Sequence, residues 1–246
     1  MSDNIICLQE VSLDWKVRLE AFFESTDYTF IHKGYAKEHT GFMGVAVAFP
    51  RYLYNLNEIH TKCIGEIVSS GYSNEDGRSW TQAITRLLRG EHRPDPYEVA
   101  KKKQNLAIVL TLELIATGER VVLSTYHMPC AFYMPRIMLM HTEALANYVS
   151  DIADGLPYII AGDFNIQPTD AAYKLITSGS YRNFKVGDPM KSAYKECHGK
   201  EPFLTNHAWS GSLDKVFSGC LDYIFYSGKI TPIKTRDLKY DIEHTL

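Results

Sequence analysis

Five side chains have the right types and settings to act together on a phosphate or a metal. Asp163 and Asn165 lie in Leu156–Pro168, LPYIIAGDFNIQP, where the apolar run Tyr158 to Ala161 is stopped by Gly162. In an extended backbone, residues two apart project to the same side. A carboxylate and a carboxamide would then face one point. The first can hold a hard cation or pass a proton, and the second can donate to a phosphoryl oxygen. An Asp–Asn turn after a core strand has the same local sequence. Glu10 closes the face Ile6, Leu8, Glu10 of a strand over Asn4 to Val11. A charge there needs a partner or a metal unless it turns to water. His127 ends a strand that Pro129 terminates. Asp222 opens the strand Leu221 to Tyr226, with Ile224 and Tyr226 on its face. Carboxylates with a histidine, and no CxxC pair, favour an oxygen-ligated Mg²⁺ or Mn²⁺ over zinc. Phosphoryl transfer needs such charge neutralisation, together with a base for water and an acid for the leaving oxygen.

Regular elements must carry these groups to one place. Leu13 to Phe23 has helical spacing, with Trp15, Leu19, Phe22 and Phe23 as its apolar stripe and Ser12 or Asp14 as cap. Strands are expected over Tyr28 to His32, over Met43 to Phe49 as a strand covered on both sides, and over Cys63 to Ser69. His32, Lys33 and His39 then fall in a glycine-containing loop. Asn105 to Leu114 and Arg120 to His127 read as a hairpin closed by ATGE. Met134 to Ile152 is a long helix, and its methionines read as core. Thr169 or Asp170 caps a helix that runs to Ser178 and is closed by Gly179. Tyr181 to Glu201 reads as irregular surface. The pattern predicts an α+β layered domain, with helices covering a mixed or antiparallel sandwich.

Composition narrows the function. The 246 residues fit one large domain, with 45% apolar and 22% charged residues supplying an ordinary core and surface. A net charge of −3 confines any nucleic-acid surface to a local basic patch. Gly71 to Lys103 is polar and basic, with Trp80 and Tyr97 among its cations and a short helix expected over Ser79 to Arg89. Such a segment can track a phosphate backbone and stack bases, or simply be a solvated face. Five scattered cysteines are expected as reduced thiols in an intracellular, cytoplasmic setting. No apolar run is long enough for a membrane span, and no signal peptide is visible.

Four segments, CLQEV from Cys7, TYHMP from Thr125, AGDFNIQP from Ala161 and LDYIFYS from Leu221, resemble the endonuclease/exonuclease/phosphatase superfamily in order and spacing over nearly the whole chain. The stretch from Phe203 to Ser227 is most similar to the nocturnin and carbon-catabolite-repressor type deadenylases. The resemblance implies an α+β fold, a four-layer α/β/β/α sandwich of two mixed sheets. It implies Glu10 as ligand of a catalytic Mg²⁺ or Mn²⁺ and His127 on the scissile phosphate. Asp163 would handle a proton or help hold a metal, Asn165 would bond the phosphoryl group, and Asp222 would orient a histidine. Asn105 would approach the substrate.

The family pattern also carries an asparagine strand before CLQEV and a Ser-Asp-His strand near the end. This chain starts at CLQEV and ends in DIEHTL. The expectation is therefore one domain over residues 1–246, truncated at both ends, with 71–103 as a basic insertion. The implied activity is an Mg²⁺-dependent phosphodiesterase, an exonuclease on RNA or DNA with single-stranded RNA as its partner. The alternatives are hydrolysis of small or lipid phosphoesters, and a catalytically inactive fragment or binding protein.

Overall fold

The structure, a computed structural model, describes residues 3–35, 43–69, 94–210 and 214–236. Among them, two sheets pack face to face, each covered outside by helix. The smaller sheet holds β1 (Ile6–Leu8), β2 (Tyr28–Tyr35) and β3 (Met43–Pro50) in the order β1-β3-β2, all antiparallel. The larger holds β4 (Tyr54–Cys63), β5 (Leu106–Leu114), β6 (Arg120–Thr125), β7 (Tyr158–Asp163), β10 (Lys191–Ser192) and β13 (Asp222–Ser227). Its order is β10-β13-β7-β6-β5-β4, and only the β6–β7 pair is parallel. Helix α1 (Leu13–Ser25) covers the small sheet through Phe23 and Leu19, against Tyr28, Ala48, Ile6 and Leu8. Helices α2 (Pro96–Lys101), α3 (Pro135–Ala153) and α4 (Ala171–Ser178) cover the large one. The result is the four-layer α/β/β/α sandwich.

The inter-sheet core explains why β3 is apolar throughout. Val45, Val47 and Phe49 meet Ile108, Leu110, Leu112 and Leu123 across the sandwich. The even-numbered Ala46 and Ala48 turn the other way, and both are fully buried. Helix α3 follows its pattern, burying Ile137, Met138, His141, Leu145 and Val149, with Pro135 at its first turn and Asp154 left-handed at its end. Helix α4 is closed by left-handed Gly179, and Asp170 stands at its N-cap without a side-chain cap bond.

Several expectations are corrected. Cys63 to Ser69 is not a strand: β4 ends at Cys63 and a 3-10 turn follows over Ile64–Ile67. The strand itself went unseen because β4 is an edge, mostly exposed and bulged between Leu56 and Glu58, so no apolar alternation marks it. β2 runs on to Tyr35, placing His32 and Lys33 within the sheet rather than in a loop. The apolar stripe of α1 is only partly used, since Trp15 and Phe22 are exposed. Tyr181 to Glu201 contains the short pair β8 (Ser180–Tyr181) and β9 (Phe184–Lys185), β10, and helix α5 (Ala193–His198). A hairpin of β11 (Asn206–Ser210) and β12 (Lys215–Gly219) precedes Asp222. The expected helix over Ser79 to Arg89, most of the 71–103 insertion, and His39 lie outside the described residues.

Candidate active site

The chain ends its strands at one rim of the sandwich, and this brings the reactive types together. β6 and β7 run parallel, so the residues that follow Thr125 and those at Asp163 emerge on the same side. β13 runs antiparallel to β7, so its first residue, Asp222, lies directly opposite Asp163. Gly162 permits this packing: a side chain there would strike the carbonyl oxygen of Tyr126. With that contact open, Met128 N–H bonds the Asp163 carbonyl at 2.8 Å.

His127 is buried and fixed from several sides. Its carbonyl accepts from Asn105 Nδ2 at 2.8 Å. The Tyr35 hydroxyl meets its Nδ1 at 2.9 Å, and its Nε2 stands 3.8 Å from Asp163 Oδ2. Burial lowers the imidazole pKa, against a smaller opposing pull from Glu10 and Asp222. Asp163 is pushed up to about 7, first by burial and then by the charges of Asp222 and Glu10, while the Asn165 amide pulls it down. Each partner is thus driven towards its neutral form, so the 3.8 Å contact is not a strong ion pair.

Asn165 reaches the site by a turn, not by strand alternation. Its backbone is left-handed, with φ 51°, and its N–H donates to Asp163 Oδ1 at 2.8 Å. Its Nδ2 donates to the Met128 carbonyl at 2.9 Å. Asn105 and Asn165 therefore brace the loop that carries His127. A second N–H on each amide is what chemistry leaves for a substrate.

Glu10 corrects the face assignment. Ile6 and Leu8 face α1, whereas Cys7 packs between the sheets and Gln9 donates to Thr125 Oγ1 of β6 at 2.9 Å. Continued alternation would send Glu10 under α1. Instead the strand stops at Leu8 and Glu10 turns left-handed, with φ 58°. The next residue is held at both backbone groups: Val11 N–H bonds the Gly44 carbonyl at 2.9 Å, and Val11 O meets His32 Nε2 at 3.1 Å. Glu10 stays exposed, and its charge acts on Tyr35, His127 and Asp163.

Asp222 is held by Thr205, whose hydroxyl donates to its Oδ2 at 2.7 Å and accepts the N–H groups of Leu221 and Asp222. Burial raises the Asp222 pKa, and Thr205 and His127 draw it back. Tyr35 and Thr205 complete the cluster and are not among the residues the sequence singles out.

Among the described residues no three His, Cys, Asp or Glu side chains close into a metal cage. The donor set is nonetheless short of positive charge, since the Glu10 and Asp222 charges both resist ionisation of Asp163. That suits a hard cation held by one or two carboxylates and keeping much of its water.

The raised pKa of Asp163 has a consequence for stability. A carboxyl whose folded pKa exceeds its unfolded value favours folding at low pH and loses that contribution as pH rises towards 7. Metal-free Asp163→Asn should therefore gain about 1–2 kcal/mol over the parent at pH 8 and about a third of that at pH 5, where the unfolded carboxyl is already ionised. The gain is limited because about a fifth of the side chain still meets water. Urea unfolding at the two pH values checks this.

The profile of the Endonuclease/Exonuclease/phosphatase family matches residues 2–239. Nocturnin of Xenopus laevis is 30% identical over 132 residues, covering 51% of this chain and 31% of nocturnin. The CCR4-Not complex 3'-5'-exoribonuclease subunit Ccr4 of Saccharomyces cerevisiae is 27% identical over 182 residues, covering 62% and 21%. The chain thus spans less than a third of these curated relatives. The human nocturnin catalytic domain with bound sulfate superimposes with a TM-score of 0.63 at 22% identity, over 91% of this chain and 68% of that one. ANGEL2, a 2',3'-cyclic phosphatase, in complex with adenosine-2',3'-vanadate gives 0.63 at 18%, over 91% and 70%.

Proposed function

The chain belongs to the endonuclease/exonuclease/phosphatase family, and from that premise we propose that it is an Mg²⁺-dependent phosphodiesterase that degrades single-stranded nucleic acid, RNA foremost, from an end. One observation carries the reading: Glu10, His127, Asp163 and Asp222 share one rim, with an Asp163 carboxyl that titrates near neutrality. A group with that pKa can both accept and return a proton at working pH. His127, held neutral by burial, donates to a phosphoryl oxygen. Glu10 would hold the metal, and its charge reaches Asp163. The bound Mg²⁺, or Mn²⁺ in its place, supplies charge neutralisation at the non-bridging oxygens. Asn105 and Asn165 keep the His127 loop in place around the phosphate.

A polymer substrate is supported by the aromatic surface beside this rim. Phe132 and Tyr133 stand exposed in the loop that follows His127. Trp209 is exposed on β11, whose root at Thr205 holds Asp222. Four steps of extended chain lead from Thr205 to Trp209, roughly 13 Å. Aromatic faces stack bases at about 1–3 kcal/mol each.

The direct test uses end-labelled single-stranded RNA and DNA with Mg²⁺, alongside bis(p-nitrophenyl) phosphate and inositol phosphates. The expected result is metal-dependent release of nucleotides, abolished by EDTA. Oligonucleotides left intact while a small ester is hydrolysed would move the reading to small phosphoesters, and no hydrolysis at all would leave a binding protein. The double variant Phe132→Ala/Tyr133→Ala should lower the preference for oligonucleotide over small diester by about tenfold or more, as loss of one stacked base predicts. Ratios of kcat/KM on the two substrates measure it.

A further inference from the structure

We propose that Tyr35 is a positioning residue that fixes His127 as the tautomer with hydrogen on Nε2, so that His127 serves only as a hydrogen-bond donor and proton handling falls to Asp163. The proposal rests on the phosphodiesterase reading for its catalytic meaning, but its geometry stands independently.

Tyr35 is the last residue of β2 and comes from the sheet opposite the one that carries His127. Its hydroxyl lies 2.9 Å from Nδ1. The backbone around the histidine has little freedom. The His127 carbonyl is held by Asn105, Met128 N–H by the Asp163 carbonyl, and Met128 O by Asn165. What remains is rotation of the ring, and the Tyr35 bond sets it.

A neutral imidazole carries hydrogen on one nitrogen and a lone pair on the other. A tyrosine hydroxyl can either donate or accept, so the bond alone leaves two tautomers. The charge beside the ring's other nitrogen decides between them. Burial, with the charges of Glu10 and Asp163, keeps Tyr35 protonated, so its hydroxyl has a hydrogen to donate. On the far side of the ring, Asp163 Oδ2 is 3.8 Å from Nε2. With Asp163 ionised, a lone pair on Nε2 would face a carboxylate oxygen, whereas an N–H there is attracted to it. With hydrogen on Nε2, Nδ1 carries the lone pair and the Tyr35 hydroxyl donates to it. The lone pair is then occupied, so His127 has no site left to take a proton from water.

The experiment compares the parent chain with Tyr35→Phe, which keeps the ring and removes the hydroxyl. Nitrogen–proton correlation spectra of the imidazoles in metal-free protein at pH 8, where Asp163 is ionised, read the tautomer, with His127→Gln assigning the signal. The parent should show Nε2–H, and Tyr35→Phe a mixture. With oligonucleotide and Mg²⁺, kcat should fall about tenfold with KM within about twofold, the scale of one lost hydrogen bond, while the melting midpoint stays within about 2 °C. An Nδ1–H signal in the parent, an unchanged tautomer in the variant, or an unchanged kcat overturns the assignment. If Tyr35→Phe does not fold, the parent spectrum decides alone. If the parent hydrolyses nothing, the functional reading fails while the spectra still judge the role of Tyr35.

Discussion

Asp163→Asn is expected to lower the rate of phosphoester hydrolysis by about two to four orders of magnitude, the range for removal of an acid–base group. The substitution keeps the volume and, through its amide oxygen, the acceptor that the Asn165 N–H uses at 2.8 Å. It removes the carboxylate whose pKa lies at about 7. Folding should survive, because the same neutral side chain relieves repulsion from Glu10 and Asp222. Single-turnover rates on a labelled oligonucleotide give the measurement. Activity within about threefold of the parent would remove Asp163 from the proton pathway.

Glu10→Gln should raise the Mg²⁺ concentration needed for half-maximal activity by about 100-fold and depress the saturated rate as well, as loss of a charged metal ligand does. Glu10 is the exposed carboxylate of the set, and the left-handed turn that presents it is held through Val11, Gly44 and His32. Glutamine fits that backbone about as well as glutamate, so the change isolates charge from shape. A Mg²⁺ titration of the two proteins decides it. Superimposable curves would show that the metal is held elsewhere.

Much of this site was legible because it rides on strands with strong patterns. The apolar run before Gly162 located β7, and LDYIFY located β13, so their acidic ends were visible before their pairing was. Glu10 was legible as a residue and not as a direction. Alternation carried it towards α1, and a single left-handed residue, which no period encodes, turned it to the rim. Tyr35 was missed because Lys33 interrupts the face it shares with Ile31 and Gly34 follows, so the apolar pattern ends at His32. A tyrosine in phase with Ile31 was the available signal. Thr205 lay within the stretch from Phe203 to Ser227 that carried the deadenylase resemblance, but its bond to Asp222 spans a hairpin with exposed residues on both strands, and no local period gives that bond.

Glu10 and Tyr35 belong to one layer, and His127, Asp163 and Asp222 to the other. The cluster therefore depends on how the two layers are registered against each other. A slip of a single residue along the strands, about 3.3 Å, would part the tyrosine from the imidazole while leaving each sheet's own hydrogen bonds whole. Loosening of the apolar seam around Val47 and Leu110, by warming or mild denaturant, would silence the protein while its circular dichroism still looked native.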